Sequence, residues 1–392
     1  MENFDSIICV GQTPWEGDFQ KAIVQLMSEL AVRHRVLYVD YQYTLKDLAM
    51  GLLQRQPVPV KPLTTRAHAL TTKQLSNNTS VYVWQPPVML PINWLSAGPH
   101  DRLIQRNVGQ LVKGLRRVMK KLGMERPLVV NGLNPVFGLP MLGKLNEAGT
   151  IYYCFDEITV GAWIGRHGSR YEPEYMRQVD AVITTSEALR QSKSAIQPRT
   201  FCVKNGVNFN LFHQARELAE ANPPTRPVIG YVGIADDRID IDLVEHCVRT
   251  LPDVLFRFVG DVPEARVTQR LLPYPNVEFI PPHQPAQLPA LLAQMTVAII
   301  PYVRNAHTYT IYPLKLNEYL AGGLPVVSTT FSILTEFEGV VELADTPALF
   351  AEALRRALAD RSATRREARV AMARSNSWAH RALEFEAVLR QL

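Results

Sequence analysis

The chain lacks the roughly eighteen consecutive apolar residues that a bilayer-spanning helix needs, so no transmembrane segment is expected in its 392 residues. Cysteine is scarce: Cys9, Cys154, Cys202 and Cys247 lie far apart and form no C-x-x-C pair. Three of them sit in apolar β-like runs, which points to small buried thiols and away from a disulfide or metal role. HExxH and paired-histidine motifs are missing, so no metal is expected. The G-x-G-x-x-G fingerprint is missing too, which disfavours a classical dinucleotide site. Without zinc-finger spacing, an aromatic RNP-like strand or a long basic tail, no nucleic-acid partner is expected. The opening residues, Met1-Glu-Asn-Phe-Asp5, have neither the basic n-region nor the apolar h-region of a signal peptide, so a cytoplasmic location is expected.

What is present is ordinary globular composition, 47% hydrophobic and 20% charged. The length suits two domains rather than one core. A net charge of +5 suits a phosphate-bearing substrate, a polyanion or an anionic membrane surface.

Short β-branched runs alternate with helix-length stretches. In the first half the pattern predicts strands at 6–11, 35–40, 80–85, 127–132, 150–156, 180–185 and 200–205. Helices are expected at 19–33, 101–122 and 135–148. Runs such as Leu128-Val-Val and Ala181-Val-Ile are apolar on both faces, as in a parallel sheet covered on both sides. A polar, proline-rich stretch then reads as a stiff linker. The alternation restarts at Val228, and the end is helical from about Thr346. The expected fold is α/β, with two doubly wound, Rossmann-like domains facing a cleft. The expected boundaries are 1–208, a linker at 209–227 and a second domain at 228–376. A last helix, 377–392, is expected to pack back on the first domain.

In such sheets ligands bind beyond the carboxyl ends of the strands. One segment there stands out: Tyr312-Pro-Leu-Lys-Leu-Asn-Glu318. Pro313 suits a helix start and Gly322-Gly323 a helix stop. The N–H groups near Tyr312, Pro313 and Leu314 therefore open toward the preceding loop, a geometry that binds phosphate. Lys315 is a cation in the first turn, where it opposes the helix dipole. Its position makes sense beside a diphosphate. Glu318, one turn on, is placed to accept hydrogen bonds from ribose hydroxyls. An ordinary surface helix with a Lys–Glu pair is the competing reading of the bare pattern.

The longer stretch Thr310-Ile-Tyr-Pro-Leu-Lys-Leu-Asn-Glu-Tyr-Leu-Ala-Gly-Gly-Leu-Pro-Val-Val-Ser328 resembles the donor-site signature of retaining GT-B glycosyltransferases of family 4, the glycosyl transferases group 1. Other segments are similar in order and spacing: Asn205-Gly-Val-Asn-Phe-Asn-Leu-Phe212, Ile229-Gly-Tyr-Val-Gly233, Phe258-Val-Gly-Asp261, Leu288–Pro301 and Ser377-Trp378. A subgroup of bacterial polysaccharide-type transferases shares the Pro-Leu-Lys-x-x-Glu-Tyr form. The resemblance implies that Glu318 holds the donor ribose and that Gly233 and Gly260 border the donor. It also implies retention of anomeric configuration, no metal, no resident cofactor and a nucleoside-diphosphate sugar as co-substrate. Two departures stand out. Thr310 occupies the place of a Glu that contacts the donor sugar. The basic pair after the opening strand of the second domain is reduced to Arg238, and Lys315 is inferred to supply the missing charge.

Other candidates follow from position. In Gln12-Thr-Pro-Trp-Glu-Gly-Asp18, Trp15 and Gly17 are donor-loop candidates; a plain strand-to-helix turn is the alternative. Asp156 and Glu157 end a strand and suit an acceptor hydroxyl or a base; capping the next segment is the alternative. The stretch 159–170, with Trp163, Arg166 and His167, reads as a substrate loop. His283 lies near the expected nucleobase pocket, and Asn305, His307 and Thr308 near the donor sugar. A basic amphipathic stretch, 113–126, and an apolar loop, Val88–Leu95, suggest docking on an anionic membrane that presents a lipid-linked acceptor; a solvated helix face and a packed loop are the alternative. Peripheral placement at the inner membrane face fits this. The expected reaction is sugar transfer from a nucleoside-diphosphate donor to a hydroxyl acceptor on a polysaccharide, a lipid-linked carrier or a small glycoside. Arg238 and Lys315 would stabilise the leaving diphosphate. A GT-B sugar-nucleotide epimerase and a catalytically silent nucleotide-binding or scaffold subunit remain open alternatives.

Overall fold

Runs that are apolar on both faces become fully buried parallel strands. The computed structural model describes residues 4–17, 21–53, 55, 58–65, 69–76, 78–160 and 162–392, with residues 162 and 163 described by backbone alone. Asp18, the expected helix start at Phe19 and the first three residues lie outside that set, as does the side chain of Trp163.

The chain divides into two compact units, Met1–Lys204 with Ala382–Leu392, and Asn205–Arg381. The first holds eight strands: β1 (Ile7–Gly11), β2 (Val36–Val39), β3 (Leu70–Gln74), β4 (Ser80–Trp84), β5 (Leu128–Gly132), β6 (Gly149–Cys154), β7 (Ala181–Thr184) and β8 (Thr200–Cys202). Their order is β3-β4-β2-β1-β5-β6-β7-β8. All neighbours pair parallel except β3 and β4. Helix Ala97–Leu122 lays Ile104, Val108, Leu111 and Leu115 against Ile8, Val10, Leu37 and Val39. Burying each such side chain contributes about 1.5–3 kcal/mol. Glu386, in the returning terminal segment, accepts from Arg33 Nε at 2.7 Å.

The second unit holds β9 (Val228–Val232), β10 (Leu255–Val259), β11 (Val277–Ile280), β12 (Val297–Ile300), β13 (Val326–Ser328) and β14 (Glu342–Leu343), ordered β11-β10-β9-β12-β13-β14. All its pairs are parallel. In each sheet the order reverses beside the first strand, between β1 and β5 and between β9 and β12. Those reversals open crevices at the strands' carboxyl ends.

Two expectations need correction, and the polar stretch between β2 and β4 adds elements that the pattern did not predict. Residues 209–221 are not linker but helix Phe209–Ala221, capped by Asn208 and burying Phe209, Phe212 and Ala215. The prolines that suggested a linker only follow its end. Most of the expected loop 159–170 is the start of helix Ala162–Gln178. The polar stretch before β4 contains helices Leu45–Leu52 and Val60–Thr64 and the antiparallel edge strand β3.

Candidate active site

The β9/β12 crevice of the second unit gathers the charges singled out in the sequence. Helix Leu314–Ala321 begins just after Pro313, which takes the N-cap position, and buries Leu316, Asn317, Tyr319 and Leu320. Tyr319 anchors it, its hydroxyl accepting from the backbone N–H of Val232 at 2.8 Å. That anchorage carries Lys315 back over the end of β9. Gly233 has φ 133°, and a Cβ there would stand 2.2 Å from Lys315 Cε, so only glycine leaves room for the lysine. Gly260, with φ 131°, approaches Gly233 just as closely: its Cβ would meet the Gly233 carbonyl at 2.4 Å.

Tyr302, immediately after β12, organises the cations. Lys315 Nζ donates to its hydroxyl at 3.1 Å. The Lys315 ammonium lies 5.8 Å and the Arg238 guanidinium 5.4 Å from its ring centre. Tyr231 donates its own proton to the Ile234 carbonyl at 2.8 Å and stands 3.3 Å from the Tyr302 hydroxyl. With Tyr231's proton so placed, Tyr302 donates to Tyr231 and keeps its lone pairs for Lys315. Burial alone would push the Tyr302 hydroxyl up, but Lys315 and Arg238 outweigh it and hold it below the ordinary value. The backbone zips the same parts together: Val303 N–H donates to Arg238 O at 2.7 Å, and Asp240 N–H to Pro301 O at 2.8 Å. Arg238 is forked onto Asp236, with Nη2 to Oδ2 at 2.7 Å and Nε to Oδ1 at 2.8 Å.

Glu318 is partly buried beside this group. Burial pushes its carboxyl up to about 7, and Lys315 pulls against that shift. The crevice therefore offers two cations, the first N–H groups of a helix and glycine backbone, with a carboxylate one turn behind.

Other predicted residues fall elsewhere. Tyr312 turns into the core, where its hydroxyl accepts from Asn317 Nδ2 at 3.1 Å, leaving only its backbone toward the helix start. Asn305 and Thr308 form a capping box for helix Ala306–Tyr309, and the buried Thr308 hydroxyl donates to Val303 O at 2.6 Å. Thr310 closes that helix and donates to His307 O at 2.8 Å. The imidazole of His283 donates from Nδ1 to Pro281 O at 2.7 Å. In the first unit, Trp15 donates its backbone N–H to Asp40 at 2.9 Å, and Gly17 has φ 146°.

Asp156 and Glu157 part company. Asp156 is exposed and accepts from Glu157 N–H at 2.8 Å. Glu157 is tied to the buried Lys193 at 3.1 Å, and Lys193 reaches Glu172 at 2.8 Å. Tyr152 donates to the other Glu172 oxygen at 2.7 Å. Nothing in the sequence spacing pointed to Lys193, Glu172, Tyr231 or Tyr302, because each meets its partners only through the fold. His167 is not a loop histidine but a buried helix residue, stacked on His100 with ring centres 3.6 Å apart. Among the described residues no group of three or more His, Cys, Asp or Glu side chains is arranged to hold a metal.

Residues 226–360 match the model of a family described as Glycosyl transferases group 1. A Bacillus subtilis (strain 168) protein, TuaH, provisionally named a teichuronic acid biosynthesis glycosyltransferase, is 27% identical over 213 residues, 49% of this chain. That match spans about half the length of the relative, 53%. Among solved structures, a sucrose-phosphate synthase of Thermosynechococcus elongatus superposes with TM-score 0.70 at 17% identity, covering 98% of both chains. Anabaena HepE, solved in complex with UDP and glucose, gives TM-score 0.66 at 14% identity over 100% of both chains. The fold is GT-B, and residues 226–360 resemble the glycosyl transferases group 1.

Proposed function

We propose that this chain transfers a glycosyl group from a nucleoside-diphosphate donor to a hydroxyl acceptor, with retention of configuration. The carrying observation is the convergence of Arg238 and Lys315 on Tyr302 at the β9/β12 crevice. In the reaction the anomeric carbon–oxygen bond to the diphosphate breaks and a bond to the acceptor oxygen forms. The electron pair stays on the departing diphosphate, and the acceptor hydroxyl's proton passes to a diphosphate oxygen. Arg238, Lys315 and the N–H groups at Leu314 and Lys315 stabilise that growing charge. Glu318 accepts from the ribose hydroxyls. The glycine backbone at Gly233 and Gly260 admits the donor closely. The loop of His283, after β11, is assigned to the nucleobase, and Asp156 to the acceptor. The donor chemistry named for Anabaena HepE supports a nucleoside-diphosphate partner, and likeness of residues 310–328 to a retaining family supports retention.

A peripheral membrane contact is part of the proposal. On helix Ala97–Leu122 the residues Arg102, Arg106, Lys113, Arg117, Lys120 and Lys121 are all exposed on the face opposite the core. Such a cationic face suits an anionic surface. No helix among the described residues is long and apolar enough to cross a membrane.

The test is release of nucleoside diphosphate from a panel of sugar nucleotides, with and without cell-envelope acceptors. Arg238→Ala and Lys315→Ala should each lower the rate by about 2–4 kcal/mol in barrier, the scale of a lost transition-state charge contact. Full activity in the double variant would overturn the assignment.

A further inference from the structure

The first unit contains a pocket of about 530 Å³, formed entirely by its own residues. It opens where the order of the first sheet reverses: Gln12 follows β1, Gln42 follows β2 and Asn134 follows β5. That is the crevice in which doubly wound sheets take ligands. The volume is that of a small-molecule site.

Its walls are apolar. Met89 and Ile92 come from the loop, Ile104 from helix Ala97–Leu122, Val136 and Phe137 from helix Pro135–Met141, and Ile164 from helix Ala162–Gln178. Four polar side chains of its lining, Gln42, Asn134, Asn107 and Asp47, are already engaged. The Gln42 amide donates to Gly11 O at 3.0 Å and Asp40 O at 2.8 Å, and accepts from Asn134 Nδ2 at 2.8 Å. Asn107 spends both ends of its amide on Leu90, accepting at 3.0 Å and donating at 3.1 Å. Asp47, the one acid in the lining, has an oxygen taken by Thr44 N–H at 2.7 Å and by the Thr44 hydroxyl at 2.8 Å. Burial holds His100 below its ordinary value, so it adds no positive charge at neutral pH. Those four side chains have little left to offer a sugar's hydroxyls.

The rim differs. Lys46 and Arg166 line the mouth, both exposed. Arg166 is held in place by donating Nη2 to Trp94 O at 2.9 Å. Trp94 itself is 69% exposed at the mouth, its indole N–H fixed to Pro91 O at 2.8 Å.

We infer that this pocket takes the non-sugar part of an amphiphilic acceptor: an apolar chain in the pocket, with an anionic phosphate-like group between Lys46 and Arg166 at the rim. The inference rests on the transferase reading, since it names the class of acceptor. The apolar chain gains from leaving water, while the two cations select an anion over a neutral head.

Calorimetry with octyl phosphate, octyl glucoside and inorganic phosphate, all below micelle-forming concentrations, tests it. Octyl phosphate should bind at least tenfold more tightly than octyl glucoside, and inorganic phosphate should show no measurable binding. Lengthening the chain by two methylenes should tighten binding roughly tenfold. The double variant Lys46→Glu, Arg166→Glu should erase the phosphate preference and leave glucoside binding unchanged. Val136→Trp should block both amphiphiles, and the surface variant Trp94→Ala should weaken them. Sugar-nucleotide binding, measured in every variant, should stay at the wild-type value, which also certifies folding. Equal affinity for the two heads, no dependence on chain length, or binding that survives Val136→Trp overturns the inference. Loss of sugar-nucleotide binding in the wild type would instead defeat the transferase reading, whatever the amphiphiles do.

Discussion

Ionisation of Glu318 should set opposite pH responses for stability and for binding at the proposed donor site. From an ordinary value of 4.5, burial pushes its carboxyl up to about 7. The folded state thus holds this proton more tightly than the unfolded chain. The stability it contributes is complete below 4.5 and is lost as pH rises through about 7. That interval corresponds to on the order of 3 kcal/mol, and partial solvent exposure reduces it to roughly 1–2 kcal/mol. At the proposed donor site binding should run the other way, because a carboxylate accepts from two ribose hydroxyls better than the acid does. Affinity should fall about tenfold per pH unit below the free-state value. Titrating a sugar nucleotide by calorimetry between about pH 5.5 and 8 reads this slope, since its diphosphate diester does not titrate there. Glu318→Gln should flatten the slope, weaken binding at about pH 8 by about 1.5–3 kcal/mol and raise the urea midpoint at that pH. A flat wild-type profile, or full affinity in the variant, refutes the role.

Tyr302→Phe removes the hydroxyl that fixes Lys315 and should weaken donor binding about tenfold, a charged hydrogen bond's worth. It should also delete a phenolate absorbance step expected in the wild type below the ordinary value of 10.0; identical alkaline titrations would refute the arrangement. Lys193→Met strands the buried Glu172 and should cost about 3–5 kcal/mol, read as a lower urea midpoint. Adding Glu172→Gln should restore part of it, and an unchanged midpoint would contradict the buried network.

Much of this was legible because both sheets, the β3 edge apart, are parallel and largely buried. Runs such as Leu128-Val-Val have few alternatives to a covered strand, and Pro313 with Gly322-Gly323 punctuates its helix unambiguously. Helix Phe209–Ala221 was misread because its buried face is carried by only Phe209, Phe212 and Ala215, while Pro223 and Pro224 dominate the local composition. The charges Arg238, Lys315 and Glu318 could be picked out singly. Their meeting point could not, since Tyr231 in β9 and Tyr302 just beyond β12 lie far apart in sequence. Likewise Glu157 looked like a free carboxylate, because Lys193 reaches it only through the fold. The loop Val88–Leu95 read either as a membrane-docking surface or as a packed loop; burial of Met89 and Ile92 makes most of it packed, a pocket wall with Trp94 exposed.

The decisive measurement is calorimetric titration of sugar nucleotides into the intact chain and into the Lys315→Ala, Arg238→Ala double variant. Saturable binding of at least one nucleoside-diphosphate sugar to the wild type is expected, weakened at least a hundredfold in the variant, the effect of losing about 3 kcal/mol of charged contacts. No binding of any sugar nucleotide at near-millimolar concentration, or equal binding by both proteins, would contradict a donor site at the β9/β12 crevice.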